Sequence, residues 1–185
     1  MNDIWKVIDK DDSSRLKAII DADESIAVRC SKWGTTPLLI AAQVGAVECL
    51  KLLVSHGADP NQLHDVTSPV SGRVERGIVP LMGARTTKVI ELLVGSGADV
   101  NWKDALGHTA IYHLGQLYET NLLDCLISCG AKLDEEAELG LWTHGADEVQ
   151  RWGDTIVASF PDGPPSAAGA RYPLGRYSTP QEIAS

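Results

Sequence analysis

The sequence predicts an all-α fold: a helical solenoid of about four to five stacked units, with finger-like loops and an irregular C-terminal tail. Three observations predict it. The phrase KLLVSHGADPNQ, from Lys51 to Gln62, returns as ELLVGSGADVNW from Glu91. Longer stretches align around it: GTTPLLIAAQVGAVECLKLLVSHGADPN from Gly34, GIVPLMGARTTKVIELLVGSGADVN from Gly77 and GHTAIYHLGQLYETNLLDCLISCGAKLD from Gly107. Their leading glycines stand 43 and then 30 residues apart, and Gly140 follows Gly107 by 33. Self-similarity of this length marks an array in which each unit buries its apolar face only against its neighbours.

Taken in order, DIWKVIDK reads as a short helix with Ile4, Val7 and Ile8 inward. SSRLKAIIDAD reads as a second helix with Leu16, Ile19 and Ile20 inward and Ser13 or Ser14 as its cap. In the next unit Thr36 is the expected N-cap and Pro37 the first helical residue, where its missing N–H costs nothing. Leu38, Ala41 and Ala42 keep one face slim for close stacking. Leu50, Leu53 and Val54 give the second helix an apolar stripe at helical spacing. Gly57 suits a left-handed C-terminal cap, and Asp59 and Asn61 suit the turn after it.

The third unit departs from the pattern twice. Pro80 to Ile90 spans ten residues where Pro37 to Leu50 spans 13, and Val79 replaces the capping Thr. Its first helix, PLMGARTT, is therefore expected to be a turn short and partly irregular. Before it stands an insertion, QLHDVTSPVSGRVER, expected to fold over the space left by the short helix. Beyond Gly140, Leu141, Val149 and Trp152 suit a final capping pair. Residues 161–185 hold five of the nine prolines and read as an irregular tail.

The three aligned phrases, the spacings near 33 and the Thr36-Pro37-Leu38 start resemble the ankyrin-repeat family over about the first three-quarters of the chain. The resemblance implies an ankyrin-type array over 1–160. Its parts are an N-terminal capping repeat at 1–33, a repeat at 34–66, a finger insertion at 67–76, a shortened repeat at 77–106, a repeat at 107–139 and a C-terminal cap at 140–160. The Pro-rich tail follows at 161–185.

The formal net charge is -9. Nucleic acid and anionic membrane surfaces reward a basic footprint, so both are disfavoured as main partners, and the charge permits a basic protein partner. The start MNDIWKVIDK has no apolar core of a secretory signal, and no stretch approaches the roughly 20 apolar residues of a membrane span. Cys30, Cys49, Cys125 and Cys129 form no CxxC pair and suit a reducing, cytoplasmic setting. Cys125 and Cys129 share a helix face, and the reading is small apolar core residues. No phosphate-binding loop, HExxH or GxSxG is present, so neither catalysis nor a metal or cofactor is expected. His56 reads as structural, and His108 stands at a finger-to-helix junction.

The resemblance implies that a protein partner meets the finger tips and the inner face of the first helices. Carried onto this chain, those positions are Lys32, Trp33, Thr35, Gln43 and Val44 in the second repeat. They are His64, Asp65, Arg73 and Arg76 in the inserted finger, and Trp102, Asp104, Leu106 and Tyr112 in the fourth repeat. A small acidic array also resembles the ankyrin-like immunity proteins of bacterial toxin systems, which implies an inhibitor that neutralises a toxin. The alternative is a regulatory or scaffold protein whose own tail occupies the groove, with Arg171-Tyr172 and Arg176-Tyr177 against the acidic face.

Overall fold

The computed structural model describes residues 3–67, 74–115, 117 and 119–132. The expected C-terminal cap, the tail and Arg73 lie outside the described residues. Most of the described chain is helical. In order it forms α1 (Asp3–Asp9), α2 (Ser13–Ala22), a 3-10 turn (Glu24–Ala27), α3 (Pro37–Val44) and α4 (Val47–Ser55). Strands β1 (His64–Thr67) and β2 (Val74–Ile78) follow, then a 3-10 turn (Pro80–Gly83), α5 (Thr87–Gly95), α6 (Ala110–Gly115) and α7 (Thr120–Ser128).

Local chemistry starts and stops these helices. The Thr36 hydroxyl accepts from the Leu39 N–H at 3.3 Å, and Thr86 does the same for Val89 at 3.3 Å. Asp12, rather than Ser13 or Ser14, caps α2, its carboxylate accepting from the Arg15 N–H at 3.0 Å. Ala46, the residue before α4, has no side-chain oxygen to offer. Asp11 supplies one from the α1–α2 turn, accepting from the backbone N–H groups of Glu48 at 3.2 Å and Cys49 at 2.8 Å. Its backbone takes a left-handed φ of 49° to make that reach.

The helices stand in two rows. In one, α1 packs on α3, α3 on the Pro80–Gly83 turn, and that turn on α6. In the other, α2 packs on α4, α4 on α5, and α5 on α7. Between the rows runs one core that includes Ile8, Leu16, Ile20, Leu39, Leu50, Leu53, Leu81, Ile90, Leu93, Leu114 and Leu126, all fully buried. Each such side chain contributes about 1.5–3 kcal/mol of burial.

The shortened helix of the third unit is a single 3-10 turn. Its neighbours close on it from both sides: a Cβ added at Gly83 would come within 2.8 Å of Gln43 Cγ on α3. The middle of the insertion, 68–73, over which it was expected to reach this turn, lies outside the described residues. Its described ends extend as an antiparallel hairpin pairing His64 with Ile78, Val66 with Glu75 and Thr67 with Val74, with an irregularity between His64 and Val66. Each strand has an outer partner. The Thr67 N–H donates to the Trp33 carbonyl at 3.3 Å, and the Ala105 N–H donates to the Arg76 carbonyl at 3.0 Å. Unpaired edges seek strands, and the flanking fingers provide them.

The repeated phrase earns its asparagine here. Asn61 Nδ2 donates to the Gly97 carbonyl at 2.8 Å while its Oδ1 accepts from the Asp99 N–H at 2.8 Å. Asn101 repeats the pattern one unit on, with Gly130 O at 3.2 Å and Lys132 N at 2.7 Å. Each Asn backbone is held by its own turn, Asn61 N–H on Asp59 at 2.8 Å and Asn101 N–H on Asp99 at 2.9 Å.

Two stability predictions follow from this bonding. Asn61→Ala loses both bonds of one clip and lowers unfolding free energy by about 2 kcal/mol, at roughly 1 kcal/mol per bond, read from urea melts. The two buried threonines differ in kind. Thr36→Val removes a used cap and costs about 1 kcal/mol. The Thr109 hydroxyl is buried without a hydrogen-bond partner among the described residues, so Thr109→Val leaves the urea midpoint unchanged or raises it.

Candidate partner-binding surface

The fingers form a continuous row: residues 31–35, then β1, then β2, then residues 102–105, joined by the backbone bonds above. The row is tightly made. A Cβ at Gly34, whose φ is +80°, would lie 2.0 Å from the Asp65 carbonyl oxygen, so only glycine permits β1 to approach. Asp65, though exposed, accepts from the Gly77 N–H at 3.2 Å and closes the hairpin base. The Ser31 and Thr35 hydroxyls meet at 2.7 Å and brace the first finger.

Several expected contact residues are presented to solvent. Trp33 is 42% exposed, Val44 45% and Leu106 66%. Lys32 Nζ lies 4.9 Å from the centre of the Trp33 ring, a cation–π contact that steadies it. Arg76 is exposed on β2. Val74, 44% exposed on the hairpin, joins this set although the sequence did not single it out.

Others are committed to internal work. His64 is only 2% exposed. Its Nδ1 faces the Gly34 carbonyl at 3.1 Å, and its Nε2 makes a long 3.5 Å contact with the Thr36 hydroxyl. This assigns the Nδ1–H tautomer, with Gly34 O as acceptor. The irregularity after His64 lets this side chain turn in beneath the row, so it is not a surface contact. Gln43 is half-buried against Gly83. Trp102 is half-buried, and its Nε1–H donates to the Gly77 carbonyl at 3.1 Å, bracing β2.

Asp104 is also turned inward, its side chain 4% exposed. Oδ1 accepts from the N–H groups of Leu106 at 2.8 Å and His108 at 2.9 Å. Oδ2 faces His113 Nε2 at 2.8 Å and His108 Nδ1 at 3.6 Å. Burial alone would raise this carboxyl's pKa, but the His108 N–H, the His113 ring and the Leu106 N–H together hold it below its ordinary value. Tyr112 stacks on His108, ring centres 3.6 Å apart and 7° from parallel. The sequence places His108 at a finger-to-helix junction and offers Asp104 as a surface contact. Their convergence with His113 depends on how the finger returns into α6, which no spacing motif announces.

Burial lowers the pKa of His64, partly offset by its bond to Gly34. The folded protein therefore binds this proton less readily than the unfolded chain does. The stability this contributes is full above the unfolded imidazole value of about 6.5 and is lost as pH falls below it, by up to about 1.4 kcal/mol per pH unit. His64→Asn should reduce stability at pH 7.5 and flatten the decline between pH 6.5 and 5 in urea melts. An unchanged decline would show that another group causes it.

Comparison with known proteins agrees with this geometry. Residues 33–65 match the family model described as Ankyrin repeat. They run from Trp33 through α3 and α4 into β1. The 2-5A-dependent ribonuclease of Mus musculus is 37% identical over 57 residues, 31% of this chain and 8% of that protein. The chain thus spans less than a tenth of that relative's length, and the activity in the name is said of that protein. No helix among the described residues is long and apolar enough to cross a membrane. The ankyrin repeat is in general a non-enzymatic module for protein–protein interaction. The matched unit at 33–65, a phrase that returns after it and asparagine clips between successive turns together support an ankyrin-repeat protein.

Proposed function

We propose that this chain is a non-enzymatic binding module in the cytoplasm, an ankyrin solenoid of about four to five units. In this reading the units span 1–33, 34–66, 77–106 and 107–139, with a C-terminal cap at 140–160 and the 67–76 insertion carried in the finger row. A second protein docks on the finger row and the adjoining inner face.

One observation carries this reading: Trp33, Val74 and Leu106 are exposed apolar side chains on a row fixed by backbone hydrogen bonds. Large exposed apolar groups on a rigid frame bind with little ordering cost. Lys32, Trp33, Thr35 and Val44 would meet the partner at one end, Asp65, Arg73, Val74 and Arg76 in the middle, and Leu106 with Tyr112 at the other. Trp102 and Gln43 support the surface from beneath.

The partner we infer is a basic protein, and the role that of an inhibitor of the immunity type covering a toxin's working face. The net charge of -9 supports this, since it attracts a basic partner and speeds encounter. The free thiols of Cys30, Cys49, Cys125 and Cys129 suit a reducing compartment.

The test is affinity purification of the tagged full chain from its native lysate, at low and moderate salt, followed by titration with the purified partner. A single stoichiometric basic protein, toxic when expressed alone, is the expected catch. Trp33→Ala and Leu106→Asp should each weaken it by more than about 1 kcal/mol, with the salt dependence left in place. A partner held equally well by both variants would remove the finger row as its docking surface.

A further inference from the structure

We propose that Asp104, His108 and His113 form a zinc site at the junction of the fourth unit's finger with α6. Asp104 Oδ2 faces His108 Nδ1 and His113 Nε2, and one ligand atom from each of the three residues lies within 4.8 Å of the others. Two imidazoles and one carboxylate are a ligand set that zinc favours, with three protein ligands and the fourth tetrahedral position left to water or another donor.

The arrangement is held in advance. The two backbone N–H groups on Asp104 Oδ1 fix the carboxylate plane, which leaves Oδ2 to face both rings. Tyr112 fixes the His108 ring by stacking. Hydrogen bonding alone explains only half of the cluster. His113 at 2.8 Å makes a good bond to Oδ2, but His108 at 3.6 Å is too far. A cation among the three atoms engages both rings at once. Zinc bonds of about 2.0–2.2 Å place tetrahedral ligand atoms roughly 3.4 Å apart. The observed 2.8 and 3.6 Å therefore bracket that spacing, and small ring rotations bring the set to it. On binding, the proton on His113 Nε2 leaves to solvent and Nδ1 holds a proton, retained or taken up from solvent, so the ring binds as a neutral imidazole.

The site is on the surface side of the core: the His108 and His113 side chains are 17% and 19% exposed. An ion can enter without unfolding the unit. The proposal is independent of any protein partner.

The experiment uses the full chain, stripped with chelator, dialysed and titrated calorimetrically with zinc chloride. One zinc per chain is expected, and His108→Gln and His113→Gln should each weaken it by at least about tenfold. Because a variant can perturb the fold, the second measurement is made on the wild type. Zinc should shift the imidazole nitrogen resonances of His108 Nδ1 and His113 Nε2 and leave those of His64 in place. Absence of stoichiometric binding overturns the site. So does binding that is equally tight in both variants, or nitrogen shifts confined to other histidines.

Discussion

The structure depends on one side-chain amide used twice. Asn61 and Asn101 each donate to a glycine carbonyl and accept from the N–H two residues beyond it in the following turn. An amide carries its donor and its acceptor on separate atoms of one rigid plane, so using both fixes distance and orientation together. The turns being joined are those in which the outer-row helices end and the chain leaves for the next finger. A clip at that point sets the helix rows and the finger row in one register. Hydrophobic burial makes the stack favourable, but it is non-directional and would tolerate sliding. The clips remove that freedom.

This explains why the array survives an insertion and a deletion side by side. The first clip joins residues 61 and 97–99, and both irregularities lie inside the span it closes. Within that span each irregularity finds its own partner. The described ends of the insertion pair as a hairpin whose outer edges bond to the Trp33 carbonyl and the Ala105 N–H. The lost helical turn is replaced by closer approach of α3, for which Gly83 clears the way. Close packing then restores the dispersion contacts that a gap would forfeit.

Much of the helical frame was legible in the sequence because its causes are local. Thr36 and Pro37 announce a helix start, Leu50 and Leu53 an inward stripe, and the ten-residue step from Pro80 to Ile90 a missing turn. What was not legible depends on groups far apart in sequence. Asp11 caps a helix that begins 36 residues later, and nothing around Ala46 advertises the need. The hairpin register is set by Trp33 and Ala105, on either side of it in sequence. His64 sits in a polar stretch, and only the irregularity after it and the Gly34 carbonyl draw it inside. Asp104 faces inward because the Leu106 and His108 N–H groups hold its carboxylate, a local nest that no sequence motif describes.

The same inward groups bear on function. A binding surface gains affinity from exposed apolar area only if it does not have to be ordered first. Trp33, Val74 and Leu106 gain that advantage from residues that face away from any partner: Gly34 and His64 beneath the first finger, Trp102 beneath β2, and Asp104 beneath the last. Removing one of these supports would loosen the surface without removing a contact from it. Long-range attraction by the acidic body acts on a different quantity. It raises the rate of encounter and fades with salt, whereas the apolar tips govern how long a complex lasts. On the function proposed above, arrival would rest on net charge and retention on three side chains on a row that backbone hydrogen bonds hold in place.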